Sequence, residues 1–310
     1  METRCLIQEP QKKQKLNDED EHMDGNSKCL GDLPEEILRH ILSFLPTKDA
    51  VRTSLLSKSW GVLKVVRLSA PKLLSLSIME SERPNLSYGD GCQIMIFAVR
   101  LKKIYYTGEL FNDYCLNKSF SLEKGEINAS LDNTSPPIAH RMYKLLIGLS
   151  SVKLLRLSSE VVEILIEAAE RLPHMPMFNN LTDLVFFKGS PVDLDCVGLL
   201  RILQNSPCLK TMKFVEGISL SLEWENSDWI LDPLPPCFLS HLKLIEVSGY
   251  EGDREELFAV KILLKNAAVL DEIAIFCSED FAGNLEKQEN LYKQLIDIPK
   301  GSQNCKINLK

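Results

Sequence analysis

A Leu-x-x-Leu-x-Leu rhythm returns along most of this chain, and it leaves few folds open. It reads Leu73, Leu76, Ile78, then Leu101, Ile104, Tyr106, then Val152, Leu155, Leu157. It continues as Leu181, Leu184, Phe186, then Leu209, Met212, Phe214, then Leu242, Ile245, Val247, and finally Leu270, Ile273, Ile275. The first positions lie 28, 51, 29, 28, 33 and 28 residues apart. The gap of 51 is close to two periods, and the weaker segment Leu122, Gly125, Ile127 fits the missing place. A fixed period of this length marks stacked units that each contact only their neighbours.

Between the motifs the apolar spacing changes to that of helices. Glu160 to Leu172 carries Val161, Ile164, Leu165, Ala168 and Leu172 on one face. Asp195 to Asn205, Glu255 to Asn266 and Glu286 to Ile298 read the same way. Strands that alternate with helices imply a parallel sheet, because same-sense strands need a crossover. The expected architecture is α/β, a curved solenoid of parallel strands with outer helices. Its last strand falls at Cys305, Ile307 and Leu309. The period near 28 lies in the range of leucine-rich repeats long enough to hold a helix in each unit.

Upstream, Gly31 to Trp60 reads as three short helices, too few residues to bury a core alone. Asp32 stands at an N-cap position, Pro34 just inside the helix, and Glu35 and Glu36 in its first turn. Ile37, Leu38, Ile41, Leu42 and Leu45 form a wide apolar stripe, which Pro46 stops. Thr47 can cap a second helix through Leu55, and Ser57 opens a third turn with Trp60 and Leu63. Such a unit must pack on something and keeps apolar surface for another protein.

The order Leu-Pro, Ile-Leu, Ile-Leu-Ser-Phe-Leu-Pro, Lys-Asp-Ala and Leu-Ser-Lys-x-Trp resembles the F-box. That resemblance implies docking onto a Skp-type adaptor and, through it, a cullin-based ubiquitin ligase. The adaptor-binding residues it implies are Leu33, Pro34, Ile37, Leu38, Ile41, Leu45, Pro46 and Trp60. A second resemblance lies in the C-terminal third. Pro235-Pro236-Cys237-Phe238-Leu239-Ser240-His241-Leu242-Lys243, then Gly249-Tyr250-Glu251-Gly252, Leu263-Leu264-Lys265-Asn266-Ala267 and Ile298-Pro299-Lys300-Gly301-Ser302 look like the FBD module. The whole is similar to plant proteins that join an F-box, leucine-rich repeats and an FBD segment. The implied layout is a disordered polar leader at 1–29, an F-box at 30–66, repeats at 67–232 and an FBD-like module continuing the solenoid at 233–310.

One departure from that pattern has structural consequences. Lys64 stands where a second aromatic is usual, and Val65 to Pro71 follow almost at once, so early repeats look missing. The first remaining repeat then presents an edge that either the F-box helices cap or solvent meets.

Composition narrows the function classes. The net charge of -7 argues against nucleic acid as the main partner, and no apolar run approaches a membrane span. The N-terminal segment lacks the apolar core of a secretory signal, so nucleus and/or cytoplasm is the expected location. Lys12, Lys13 and Lys15 adjoin Asp18, Glu19, Asp20 and Glu21, which reads as a solvated tail. Nine cysteines never form Cys-x-x-Cys, which suits reduced thiols and offers no metal ligand set. No phosphate loop, dinucleotide fingerprint or nucleophile elbow occurs, and the five histidines share no context. Asp193 and Asp195 read as helix caps, Cys196 as a buried thiol and His241 as structural. Trp229 reads as an anchor of the loop from Glu216 to Cys237, and Trp224 as anchor or contact. No cofactor is expected.

The expected function is therefore the non-catalytic substrate-receptor subunit of a Skp–cullin–F-box E3 ubiquitin ligase, with an unknown protein target on the repeats. The alternative is a truncated binding scaffold without ligase output.

Overall fold

A computed structural model describes residues 65–80, 91–117, 121–130, 135–167, 175–221, 231, 233–279, 283–296 and 298–310. The leader, the F-box stretch through Lys64, Trp224 and Trp229 lie outside these residues. The chain runs β1 (Val65–Ser69), β2 (Ser75–Met79), β3 (Gln93–Phe97), β4 (Lys103–Gly108), β5 (Asp113–Leu116), β6 (Lys124–Ala129), α1 (Pro136–Gly148) and β7 (Leu154–Ser158). Then follow α2 (Glu160–Glu167), β8 (Asp183–Lys188), β9 (Val192–Asp193), α3 (Val197–Gln204), β10 (Thr211–Phe214) and β11 (Ile218–Ser219). The last part holds α4 (Pro236–Ser240), β12 (Leu244–Tyr250), α5 (Arg254–Asn266), β13 (Glu272–Cys277), α6 (Leu285–Ile296) and β14 (Lys306–Leu309).

Nine strands form one open sheet in the order β14-β13-β12-β10-β8-β7-β6-β4-β2. Every pairing is parallel, and the order follows the chain. The edges β2 and β14 do not meet, so among the described residues there is no closed barrel. Each rhythm segment supplies one strand, including the weak one at Leu122, which becomes β6. The gap of 51 thus divides into units of 21 and 30 residues at Leu122.

Register explains the rhythm. Leu76, Ile104, Gly125, Leu155, Leu184, Met212, Ile245, Ile273 and Ile307 stand side by side across the sheet. Ile78, Tyr106, Ile127, Leu157, Phe186, Phe214, Val247, Ile275 and Leu309 make the next row. Leu101, Leu122, Val152, Leu181, Leu209, Leu242 and Leu270, two residues ahead of their strands, are at most 3% exposed. A parallel ladder slipped by one residue would turn all three rows to solvent, so apolar burial fixes the register. The backbone repeats too. The Lys102 carbonyl accepts from the Glu123 and Lys124 amides, and the Thr182 carbonyl from those of Lys210 and Thr211.

Gly125 is the gap in the first row, and a neighbour fills it. A Cβ there would stand 3.0 Å and 3.2 Å from the two terminal carbons of Leu149, just beyond α1. Leu149, itself fully buried, occupies the space that a leucine has in the other strands.

The returning arms form a second layer, and here the expectation of outer helices needs correcting. In the first units the arms are strands, β1, β3 and β5, paired in that order as a parallel sheet. The unit from Leu101 to Leu122 is too short to fit a helix with its two turns, and a four-residue strand crosses instead. Helices take over at α1, which packs on β5 and α2, while α2 packs on α3. That last contact is close because Gly198 has no side chain, and a Cβ there would fall 2.1 Å from the Val162 carbonyl oxygen.

α1 has no counterpart among the expected helices. It starts after Ser135 with Pro136 and Pro137 and buries Ile138, Ala139, Met142, Tyr143, Leu145 and Leu146. Elsewhere helix bounds lie close to expectation, with α2 described only to Glu167. At the N-terminal end Leu68, Leu73, Leu76 and Ile78 are only partly buried, unlike their counterparts further in. Across the 232/233 boundary the sheet is continuous, since β10 pairs with β12.

Candidate functional site

With three apolar rows turned inward, strand alternation sends the intervening side chains to the opposite face of the sheet. One row there runs Tyr105, Glu126, Arg156, Val185, Lys213, Glu246, Ala274, Asn308. The row before it runs Lys103, Lys124, Leu154, Asp183, Thr211, Leu244, Glu272, Lys306. This face mixes aromatic rings, aliphatic side chains and charges.

Its charges are held in place. The Glu126 carboxylate serves two cations, with Oε2 3.1 Å from Lys124 Nζ and 3.0 Å from Arg156 Nε. The buried Arg156 Nε sits at ion-pair distance without hydrogen-bond alignment. The Lys124 ammonium lies 4.8 Å from the centre of the Tyr105 ring, and the Arg156 guanidinium 4.8 Å from that of Phe187. Further along, Lys213 pairs with Glu246 at 2.7 Å and the Asn308 amide donates to Glu272 at 2.7 Å. The Thr182 hydroxyl donates to Asp183 at 2.7 Å, and the Lys310 ammonium lies 5.0 Å over Phe276.

Two carboxylates off this face gather hydrogen bonds, and both fasten turns. Glu80 Oε2 accepts from the Tyr106 hydroxyl at 2.7 Å and the Phe111 amide at 2.9 Å. Its Oε1 accepts from the Tyr114 hydroxyl at 2.8 Å and from the backbone and side-chain amides of Asn112 at 3.2 Å and 2.9 Å. Burial, then the charge of Glu80, pushes both tyrosine hydroxyls far above their usual ionisation range. Glu256 Oε2 accepts from the amides of Glu251, Gly252 and Asp253 at 3.0, 2.8 and 3.0 Å, closing the start of α5. Burial raises the Glu256 carboxyl pKa, and those amides oppose the rise. Sequence spacing of 26 to 34 residues hides the Glu80 contacts, whereas Asp253-x-x-Glu256 is a readable capping signal.

Asp193 lies in β9 and accepts from the Asp195 amide at 3.0 Å, so the two make a turn just ahead of α3, whose N-cap is Cys196. Cys196 is the N-cap of α3 and is buried, and burial pushes its thiol pKa up despite the amides of Leu199 and Gly198. Cys237 is fully buried with its pKa pushed up to about 12 by burial. His241 is exposed at the end of α4, its Nδ1 2.8 Å from the hydroxyl of Ser240. Among the described residues no three His, Cys, Asp or Glu side chains gather to hold a metal ion. The adaptor-binding residues Leu33, Pro34, Ile37, Leu38, Ile41, Leu45, Pro46 and Trp60 lie outside the described residues.

Comparison with known proteins bears on both ends of the chain. The family model described as "F-box domain" matches residues 30–63, and that described as "FBD" matches residues 232–275. An FBD-associated F-box protein of Arabidopsis thaliana is 25% identical over 87% of this chain and 58% of its own length. An F-box/FBD/LRR-repeat protein of the same plant is 27% identical over 79% of this chain and 53% of its own length. An F-box/LRR-repeat protein, again from Arabidopsis thaliana, is 26% identical over 67% of this chain and 47% of its own length. The chain spans about half the length of the curated relatives it matches.

Proposed function

We propose that this chain, an F-box segment followed by a parallel-strand repeat array and an FBD segment, receives protein targets for a Skp–cullin–F-box E3 ubiquitin ligase. The F-box match at residues 30–63 is the observation that carries this reading. Leu33, Pro34, Ile37, Leu38, Ile41, Leu45, Pro46 and Trp60 form or shape the surface that meets the Skp-type adaptor, which links to the cullin. The chain order of the nine strands and their repeated register support a curved leucine-rich-repeat solenoid. Its solvent-facing strand side holds the target. The ligase's other subunits supply the chemistry, and this chain contributes proximity. It works in the nucleus and/or the cytoplasm, without a cofactor.

The run from Lys64 straight into Val65–Pro71, where early repeats look missing, leaves one second reading, a binding scaffold that delivers no target. Co-purification with a Skp-type adaptor tests the first. The native chain retains adaptor, and Pro34→Ala with Leu38→Ala lowers retention about tenfold. Failure of the native chain to bind adaptor overturns the receptor reading, and equal binding by the double variant overturns the docking face. Adaptor binding with no protein stabilised on loss of this chain supports the scaffold.

A further inference from the structure

We propose that the band of the sheet face built by β4, β6 and β7 takes an acidic segment of the target protein, through Lys103, Lys124 and Arg156. This rests on the reading of the chain as a target receptor and names where and by what chemistry the target is held. Charge distribution is the first ground. Across β4, β6 and β7 three cations face one carboxylate, Glu126. From β8 to β14 the two rows and the terminal Lys310 carry Lys213, Lys306 and Lys310 against Asp183, Glu246 and Glu272. The band is therefore a positive island on a chain of net charge -7, and an acidic segment finds its favourable place there and not elsewhere on the face.

Preorganisation is the second ground. Lys124 rests against Tyr105 and Arg156 against Phe187, so two long side chains are already ordered before a partner arrives. Glu126 Oε2 is shared between Lys124 and Arg156, and its contact with the guanidinium is at Nε. The planar fork of arginine matches a second carboxylate in two-point contact. No ion pair of Lys103 occurs among the described residues, and its side chain is exposed. Lys103 and Lys124 are register partners, and Arg156 stands one strand further on. At a strand spacing of about 4.8 Å the three span about 10 Å, which suits carboxylates at alternate positions of an extended segment, about 7 Å apart. A nucleic-acid backbone fits poorly, since Asp183, Glu246 and Glu272 follow on the same face and repel a continuous run of phosphates.

Selection from a random peptide library on the full chain tests this, read against Lys103→Glu, Arg156→Gln and Lys213→Gln. The native chain enriches peptides rich in Asp and Glu, and Lys103→Glu and Arg156→Gln each weaken a selected peptide about tenfold by fluorescence anisotropy. Lys213→Gln, in the balanced half, leaves that affinity unchanged. Lys103 has an exposed side chain, so its variant keeps the native melting temperature and separates binding from folding. Selection without acidic enrichment, affinity indifferent to Lys103 and Arg156, or equal loss in Lys213→Gln overturns the proposal. Preference for a single-stranded RNA oligonucleotide over the acidic peptide overturns it as well. Adaptor retention measured on the same three variants stays native, so a loss of peptide binding is distinct from failure of the receptor reading.

Discussion

Glu80 shows how one side chain can fix a turn that its own sequence does not favour. Leu110 holds a left-handed backbone, φ 57°, which costs energy for a residue with a side chain of this size. Its amide donates to the Tyr106 hydroxyl, which donates in turn to Glu80, and the next two amides bind Glu80 directly. Replacing Glu80 by alanine leaves several donors of this turn without an acceptor and costs on the order of 3 kcal/mol, read from urea unfolding. Glu80→Gln costs less, because one oxygen still accepts while the new amide group faces other donors. The tyrosines give a pH dependence as well. Tyr106, Tyr114 and Tyr250 ionise less readily folded than unfolded, chiefly through burial. Below the unfolded value of about 10 both states hold the proton and stability is unaffected. Above it the unfolded chain loses protons that the folded chain keeps, so stability falls by up to about 1.4 kcal/mol per pH unit for each tyrosine. Unfolding midpoints compared at about pH 9 and about pH 10.5 read this directly, and equal midpoints contradict the burial of these hydroxyls.

Among elements, the helix starts and the sheet rows differ in how far the sequence reveals them. Glu256 follows Asp253 at capping-box spacing, so the tight start of α5 is readable from four residues. Glu256→Ala frees three amides of that turn and costs about 2 kcal/mol, with faster hydrogen exchange at Glu251 to Asp253. The rows of the main sheet are equally legible, since each strand repeats the same apolar offsets. Gly125 breaks the pattern, and only the fold shows that Leu149 replaces its missing side chain. Leu149→Ala therefore costs about 2 to 5 kcal/mol and Gly125→Leu about 1 to 3 kcal/mol. Combined, they cost less than the sum, because the new leucine enters the vacated space, and a double-mutant cycle by thermal unfolding measures the difference. The strands β1 and β5 were not legible, because four or five residues carry no period to read. The start of α1 offered a signal in Ser135-Pro136-Pro137, with Ile138, Met142 and Leu145 spaced as on one helix face, yet the strand rhythm on either side masked it. On the solvent-facing side, alternation places Tyr105, Glu126 and Arg156, but their meeting depends on register across three strands and no local pattern encodes it.

At the scale of the whole molecule, the sheet order makes each strand depend on its two neighbours and on little else. Parallel units stacked in chain order have stability close to a sum of unit and interface terms, so the ends open before the middle. Both ends are less buried than the middle. At β14 the half-buried Ile307 and Leu309 pack against the core, with α6 beside the strand. At β2 the counterparts Leu76 and Ile78 are half-buried as well, and β1 shows the same alternation of exposed and half-buried residues. Inner positions such as Leu155, Leu184, Ile245 and Ile273 are fully buried. Native-state hydrogen exchange on the full chain is therefore slowest through β7, β8, β10 and β12 and fastest at β1, β2 and β14. Adaptor bound to the F-box slows exchange at β1 and β2 if the segment upstream of Val65 covers that edge, and leaves β14 unchanged. Equal slowing at both ends contradicts coverage from the N-terminal side, because β14 is eight strands from β2 and shares no neighbour with it. Uniform exchange along the nine strands contradicts the nearest-neighbour picture itself, since it requires the sheet to open as a single unit.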